Sequence, residues 1–252
     1  MTTALITGAS SGIGLEIARL LAADHDLVLA ARSAAALERI ADELRRHGNT
    51  VRVVAVDLAE PAGAAKLAAE VADVDVLVNN AGFGDFGEFS QADPAKLDQM
   101  IELNVATLTR LSRSYLPGMV ARSSGRILNV ASTAAFQPGP LMAAYYATKA
   151  YVLSFSEALA EETRGSGVTV TALCPGPTAS GFQAGAAMES SRLVKDKKLP
   201  TAARVAAYGV RAMQRGKVVA VPGLQNKLSA TVVRFSPRPL VRRLVHRLQA
   251  AK

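Results

Sequence analysis

Apolar residues in this chain come in two kinds of pattern. Short continuous runs occur at residues 3–7, 26–31, 50–56, 75–78, 125–131, 168–173 and 217–221. Between them, apolar positions recur at helical spacing over residues 12–23, 33–47, 60–72, 93–121, 143–164 and 201–215. A continuous apolar run suits a strand buried on both faces. Such strands alternating with helices predict an α/β fold. It is a doubly wound parallel sheet of Rossmann type, about seven strands, with helices on both faces. Two starts carry local signals. Ser33 is placed to cap the second helix, and Asp93 followed by Pro94 suits the start of the fourth. No repeat or linker divides the chain. Residues 1–222 are expected to form the main domain, with a polar, Gly-containing lid at about 179–200. Residues 223–252 are expected to extend the same domain as a helical tail broken by Pro237 and Pro239.

Composition narrows the setting. Half the residues are hydrophobic and there is no Trp, so the core must be mostly aliphatic. The single Cys174 excludes an intramolecular disulfide and reads as a buried small hydrophobe in a reducing compartment. The N-terminus enters a strand at once, and no apolar segment approaches the roughly 18 residues of a membrane span. A cytoplasmic protein is expected. The net charge of +8 is unevenly spread, for no Asp or Glu follows Asp196. That asymmetry points to an anionic partner or to a solvated basic end. Stacking aromatics are not interleaved with the basic residues, so nucleic acid is not expected. His25, His47 and His246 are scattered without ligand spacing, and no catalytic metal is expected.

The first strand runs into a glycine-rich loop of Gly8, Ala9, Ser10, Ser11, Gly12, Ile13 and Gly14, and a helix follows. There, backbone N–H groups and a helix N-terminus can meet a pyrophosphate. About twenty residues on, an acidic residue would bind the ribose 2′-hydroxyl of NAD. This chain has Arg32 with Ser33 beside it, and a guanidinium suits a 2′-phosphate. NADP is therefore expected over NAD.

Tyr145 precedes Lys149 by four residues, which puts both on one helical face. Ser132 lies thirteen residues before Tyr145. Tyr146 competes for the same role, but the helix turns it about 100° away. A free tyrosine has a pKa of about 10. A cationic Lys149 and a positive nicotinamide ring would lower it. With the glycine loop, the run Asn79-Asn80-Ala81-Gly82, Asn104 and Pro175-Gly176, this set resembles the short-chain dehydrogenase/reductase family in order and spacing. The likeness spans about residues 3–222.

The resemblance implies an oxidoreductase acting on a carbonyl or secondary alcohol. Tyr145 would be the general acid/base, Lys149 its activator and a ribose contact, Ser132 the holder of the substrate oxygen, and Asn104 the anchor of a water relay. Asp57 and Leu58 would border the adenine, and Asn80, Ala81 and Gly82 would back the adenosine ribose. Pro175, Gly176 and Thr178 would lie against the nicotinamide. The family often has Val or Ile at position 178 and Thr at 180. This chain has Thr178 and Ser180, so a carboxamide hydrogen bond from Ser180 remains available. A non-catalytic NADP-binding sensor or scaffold is the alternative.

Phe182, Met188 and Leu193 of the lid are expected to face residues 83–89, Phe136 and Leu141 across an apolar pocket. It would suit a hydrophobic ketone, aldehyde or acyl chain. The helices at 93–121 and 143–164 build dimers or tetramers in the family, so a homo-oligomer is expected. Leu240, Val241, Leu244, Val245 and Leu248 fall on one face of the tail, and Arg242, Arg243, His246 and Arg247 fall largely on the other. That face is expected to dock on the domain or on a neighbouring subunit. The other fate open to it is contact with an anionic membrane surface.

Overall fold

The structure, a computed structural model, describes residues 1–188, 191–195 and 198–250. Residues 189–190 and 196–197 of the expected lid and 251–252 of the tail lie outside the described residues. Seven strands form one sheet in the order β3-β2-β1-β4-β5-β6-β7. They are β1 (Thr2–Thr7), β2 (His25–Ala31), β3 (Val51–Ala55), β4 (Val76–Asn79), β5 (Gly125–Val130), β6 (Val168–Leu173) and β7 (Val219–Ala220). Every pairing is parallel.

The continuous apolar runs follow from what covers the sheet. Successive strand residues point to opposite faces. Ala4, Ile6, Leu27, Leu29, Val76 and Val78 pack with α1 (Gly12–Leu21), α2 (Ala34–Leu44) and α8 (Ala202–Gln214). Leu5, Val28, Leu77 and Ile127 pack on the other face with α3 (Gly63–Glu70) and α5 (Leu108–Ala121). Both faces are covered, so both strand parities are mostly apolar, with Thr7, Asn79, Asn129 and Thr171 as buried polar exceptions. The strand order reverses between β1 and β4, and such a switch point opens a crevice at the carboxyl ends of the strands.

The helices depart from expectation where tertiary contacts intervene. Ser33 caps α2 by accepting from the Ala36 amide, and Asp93 caps α4 (Pro94–Ile101) by accepting from Ala95. The expected single helix at 93–121, however, is interrupted. A π-helical stretch at Glu102–Thr107 separates α4 from α5. It carries Asn104, whose side chain bonds both backbone groups of Phe83 and widens the turn there. The second helix ends at Leu44 and tightens into a 3₁₀ turn, Arg45–His47. The third starts at Gly63 rather than residue 60, and β7 is only two residues long. α6 (Ala143–Glu162) matches its expected span, and among the described residues of the expected lid there is one short helix, α7 (Phe182–Gly185).

The tail is two helices, α9 (Leu224–Phe235) and α10 (Arg238–Gln249). Pro237 separates them, but Pro239 does not break anything. It sits in the first turn of α10, where a missing N–H costs no helical bond.

Candidate active site

A cavity of about 920 Å³ opens along the carboxyl ends of the strands. Its first end is built largely by backbone. Gly8 and Gly12 have φ of +65° and +57°, a region costly for a side chain. They bend the chain from β1 into α1 so that Ser10, Ser11, Gly12 and Ile13 line the cavity at the helix N-terminus. Gly14 does not line it. A Cβ there would collide with the Gly8 carbonyl and the Asn80 amide, so Gly14 serves the close packing of α1 on the loop. Asn80 fixes this end from the next strand. Its Nδ2 donates to the Thr7 carbonyl at 2.9 Å and the Gly8 carbonyl at 3.2 Å, while Thr7 Oγ1 accepts from the Asn80 and Ala81 amides.

Arg32, Ser33, Asp57, Leu58, Asn80, Ala81 and Gly82 complete this part of the lining. Arg32 is exposed and forms no ion pair among the described residues. The positive-φ turn, the amides at the α1 N-terminus and the free guanidinium suit a dinucleotide phosphate.

The second end is built by side chains. Ser132 caps a 3₁₀ turn, Thr133–Phe136, by accepting from the Ala134 amide, and its hydroxyl donates to the Pro175 carbonyl at 3.4 Å. Tyr145 and Lys149 enter from one face of α6 and are both buried. The Lys149 ammonium donates to the Val130 carbonyl at 2.8 Å and lies 5.8 Å from the Tyr145 ring centre. Ser132, Tyr145 and Lys149 all line the cavity, as do Pro175, Gly176, Thr178 and Ser180.

Asn104 stands behind this wall. Its Oδ1 accepts from the Phe83 amide, and its Nδ2 donates to the Phe83 carbonyl and to Thr148 Oγ1. Thr148 in turn donates to the Tyr145 carbonyl at 2.7 Å. A Cβ on Gly82 would meet Asn104 Oδ1 at 2.9 Å and Lys149 Nζ at 3.5 Å. Gly82 is thus the gap through which Asn104 and Lys149 approach one another.

Burial pushes the Tyr145 phenol far above its ordinary value. The nearby Ser132 hydroxyl opposes that shift, and Tyr146 adds to it. The lowering expected from Lys149 is therefore not what the protein's own groups produce, because desolvating a phenolate outweighs it. Burial lowers Lys149 itself to about 8.

The expected lid segment packs on Tyr145. The Phe182 ring lies 5.2 Å from the Tyr145 ring, and Phe182, Met188 and Leu193 line the cavity as expected. Of the expected opposite wall, Phe83 lines it, but Phe136 and Leu141 do not. Phe136 packs on the α6 side and under the Arg234 guanidinium at 5.9 Å. Sequence spacing also missed Met142, Gln137 and Gln183 in the lining. Tyr146 lines the cavity too, edge-on to Tyr145 at 6.1 Å, even though it lies a 100° step around the helix. Ser180 Oγ accepts from the Phe182 amide at 3.4 Å, and Thr178 Oγ1 donates to the Gly176 carbonyl at 2.9 Å, so both hydroxyls have local partners.

A third layer comes from the tail. Val241 and Val245 are buried with Met100, Met142, Tyr145 and Tyr146. Asn226 of α9 lies on Gly176, where a Cβ would meet its side-chain oxygen at 2.8 Å. Gln249 is wholly buried and holds down the Tyr146 phenol, which burial raises to about 12. It lacks the geometry of a full hydrogen bond to that hydroxyl.

Comparison with known proteins agrees with the geometry. A sequence model of the family described as short chain dehydrogenase matches residues 2–190. An uncharacterised oxidoreductase, YvrD of Bacillus subtilis, is 40% identical over 178 residues, covering 69% of this chain and 67% of the relative. Across the curated relatives the matched stretch spans 60–71% of their own lengths. A short-chain dehydrogenase from Sphingobium yanoikuyae, solved in complex with NADPH, superposes with a TM-score of 0.86. It is 32% identical, covering 95% of this chain and 94% of the other. A relative from Burkholderia phymatum solved with NAD superposes at 0.83 with 26% identity, covering 96% and 95%.

Proposed function

The chain belongs to the short-chain dehydrogenase family of NAD(P)-dependent oxidoreductases, and on that premise we propose that it is an NADPH-preferring reductase of a hydrophobic ketone, aldehyde or acyl carbonyl. The observation that carries this reading is the convergence of Ser132, Tyr145 and Lys149 on one cavity whose far end presents Arg32 without a carboxylate partner among the described residues. In the bound state the reduced nicotinamide supplies a hydride to the carbonyl carbon. Ser10, Ser11, Gly12 and Ile13 would hold the pyrophosphate, and Arg32 with Ser33 the 2′-phosphate. Pro175, Gly176, Thr178 and Ser180 would border the nicotinamide.

The protein's own groups handle the proton. Tyr145 is held protonated by burial, which is the form that can donate to a carbonyl oxygen. Ser132 orients that oxygen and stabilises charge developing on it. Lys149, with its ammonium anchored on the Val130 carbonyl, places positive charge under the phenolate that forms. Asn104 acts as a positioning residue. It ties the Phe83 backbone to Thr148 and so to the turn of α6 that carries Tyr145. Phe182, Met188, Leu193 and Met142 give the substrate side an apolar wall.

Titration with NADPH and with NADH, followed by the fluorescence of the reduced nicotinamide, tests the cofactor reading. Tight NADPH binding and weak NADH binding are expected. Equal or reversed affinities remove the role given to Arg32. Tight binding with no turnover of any ketone, aldehyde or acyl thioester in a broad panel would instead favour a sensor.

A further inference from the structure

α10 carries two apolar stripes of which the domain buries one, while α9 buries no residue fully and sets only Val233 against the domain's apolar cluster. On α10, Val241 and Val245 are buried against the substrate-side cluster. Leu240, Leu244 and Leu248 follow one another at four-residue spacing beside that buried stripe and are 42–61% exposed. On α9, Leu224, Leu228, Val232 and Phe235 share one face and are 52–85% exposed. The expected single apolar face of the tail is therefore divided. Half of it docks on the domain, and the other half faces outward.

The outward face is bordered by cations. Arg243 and Arg247 follow Leu240 and Leu244 by three residues, so they lie along the edge of the leucine stripe. Lys227 and Arg234 flank the stripe on α9 with their charges over the Tyr208 and Phe136 rings at 5.8 and 5.9 Å, and all four cations are exposed. None forms an ion pair among the described residues. No Asp or Glu occurs in the chain after Asp196. Two copies of this face pressed together would oppose cation to cation with nothing to neutralise them. A surface that is apolar beneath and anionic above complements both features at once.

We propose that the outer face of α9 and α10 docks on an anionic lipid bilayer. The leucines and Phe235 enter the acyl boundary, and Arg243 and Arg247 sit among the headgroup phosphates. No helix among the described residues is long and apolar enough to cross a membrane, so the contact lies in the interface plane. Val241 and Val245 hold α10 to the domain, which fixes the orientation of the docked protein.

Co-sedimentation of the full chain with vesicles tests this. One set is phosphatidylglycerol mixed with phosphatidylcholine, and the other is phosphatidylcholine alone. The protein is expected to pellet with the anionic set at low salt, to be released by high salt, and to stay in solution with the neutral set. Replacing Leu240, Leu244 and Leu248 by Gln should weaken the partitioning at least about tenfold, and so should Arg243→Gln with Arg247→Gln. All five side chains are exposed, so melting temperature should hardly change, and measuring it guards against misfolding. Failure to pellet with anionic vesicles at low salt overturns the proposal. So does equal partitioning by the leucine variant. So does a wild-type oligomer that this variant dissociates in light scattering, since the face would then belong to a second copy of the chain.

Discussion

At the 8–32 end of the cleft the residues that shape it are a glycine turn and the helix N-terminus after it, supplied by one short stretch of contiguous sequence. At the Tyr145 end they are side chains gathered from β5, α6, the β6 loop and the lid, with the tail helices behind them. The first end depends on what glycine permits, two positive-φ turns and one close helix–strand approach. The second depends on burial, which sets the charge states of Tyr145 and Lys149. A backbone-built site should therefore tolerate changes in nearby side chains but not an added Cβ. A side-chain-built site should lose chemistry through single atoms while the fold survives.

The sharpest test of that contrast is Tyr145→Phe. Losing one hydroxyl should lower kcat by about 10²–10⁴-fold with melting temperature nearly unchanged, read by steady-state kinetics alongside calorimetry. Turnover close to wild type would remove Tyr145 as the acid. Arg32→Ala comes next. It should raise the NADPH dissociation constant about 10–100-fold and leave that of NADH nearly unchanged, as fluorescence titration would read. Gly14→Ala attacks the other end through the backbone. Its Cβ collides with the Gly8 carbonyl, so unfolding in urea should show a loss of about 1–3 kcal/mol, whatever the cofactor. A silent Gly14→Ala would break the comparison at its first term.

Val245→Ala empties part of the layer between the tail and Tyr146 and should cost about 1–2 kcal/mol in the same measurement. The smallest effect is on pH. Lys149 has a folded pKa near 8 against 10.5 ordinarily, so above pH 8 the unfolded state binds more protons and stability rises with pH. Above about pH 9 the trend is countered by Cys174, which burial raises from 9.0 to about 12, and then by Tyr145. Between pH 8 and 9 the rise should be at most about 1 kcal/mol and should vanish in Lys149→Met. Chemical denaturation at several pH values would show it.

The same contrast explains what could be read from sequence. The positions of Gly8, Gly12, Arg32 and the tyrosine–lysine pair in the cleft are legible because local geometry sets them: a turn needs positive φ, Arg32 follows directly on the second strand, and a helix puts four-apart residues on one face. The sheet is legible because both of its faces are covered. Tyr146 in the lining, Phe136 outside it and the π-helical turn at Asn104 are different. Each depends on a partner far along the chain, such as Gln249, Arg234 or Phe83, and no spacing rule reports such a partner. The tail divides in the same way. Its periodicity shows an apolar face, but only packing decides that Val241 and Val245 go inward and Leu240 and Leu244 outward.

The central claim is that Tyr145, Ser132 and Lys149 reduce a carbonyl with NADPH. Oxidation of NADPH by the purified chain, followed by its absorbance over a panel of hydrophobic ketones, aldehydes and acyl thioesters, tests it most directly when Tyr145→Phe is run in parallel. The account predicts turnover of at least one hydrophobic carbonyl by the native chain and its near-complete loss in the variant, with NADPH still bound by both. Turnover that survives the loss of the Tyr145 hydroxyl would contradict it.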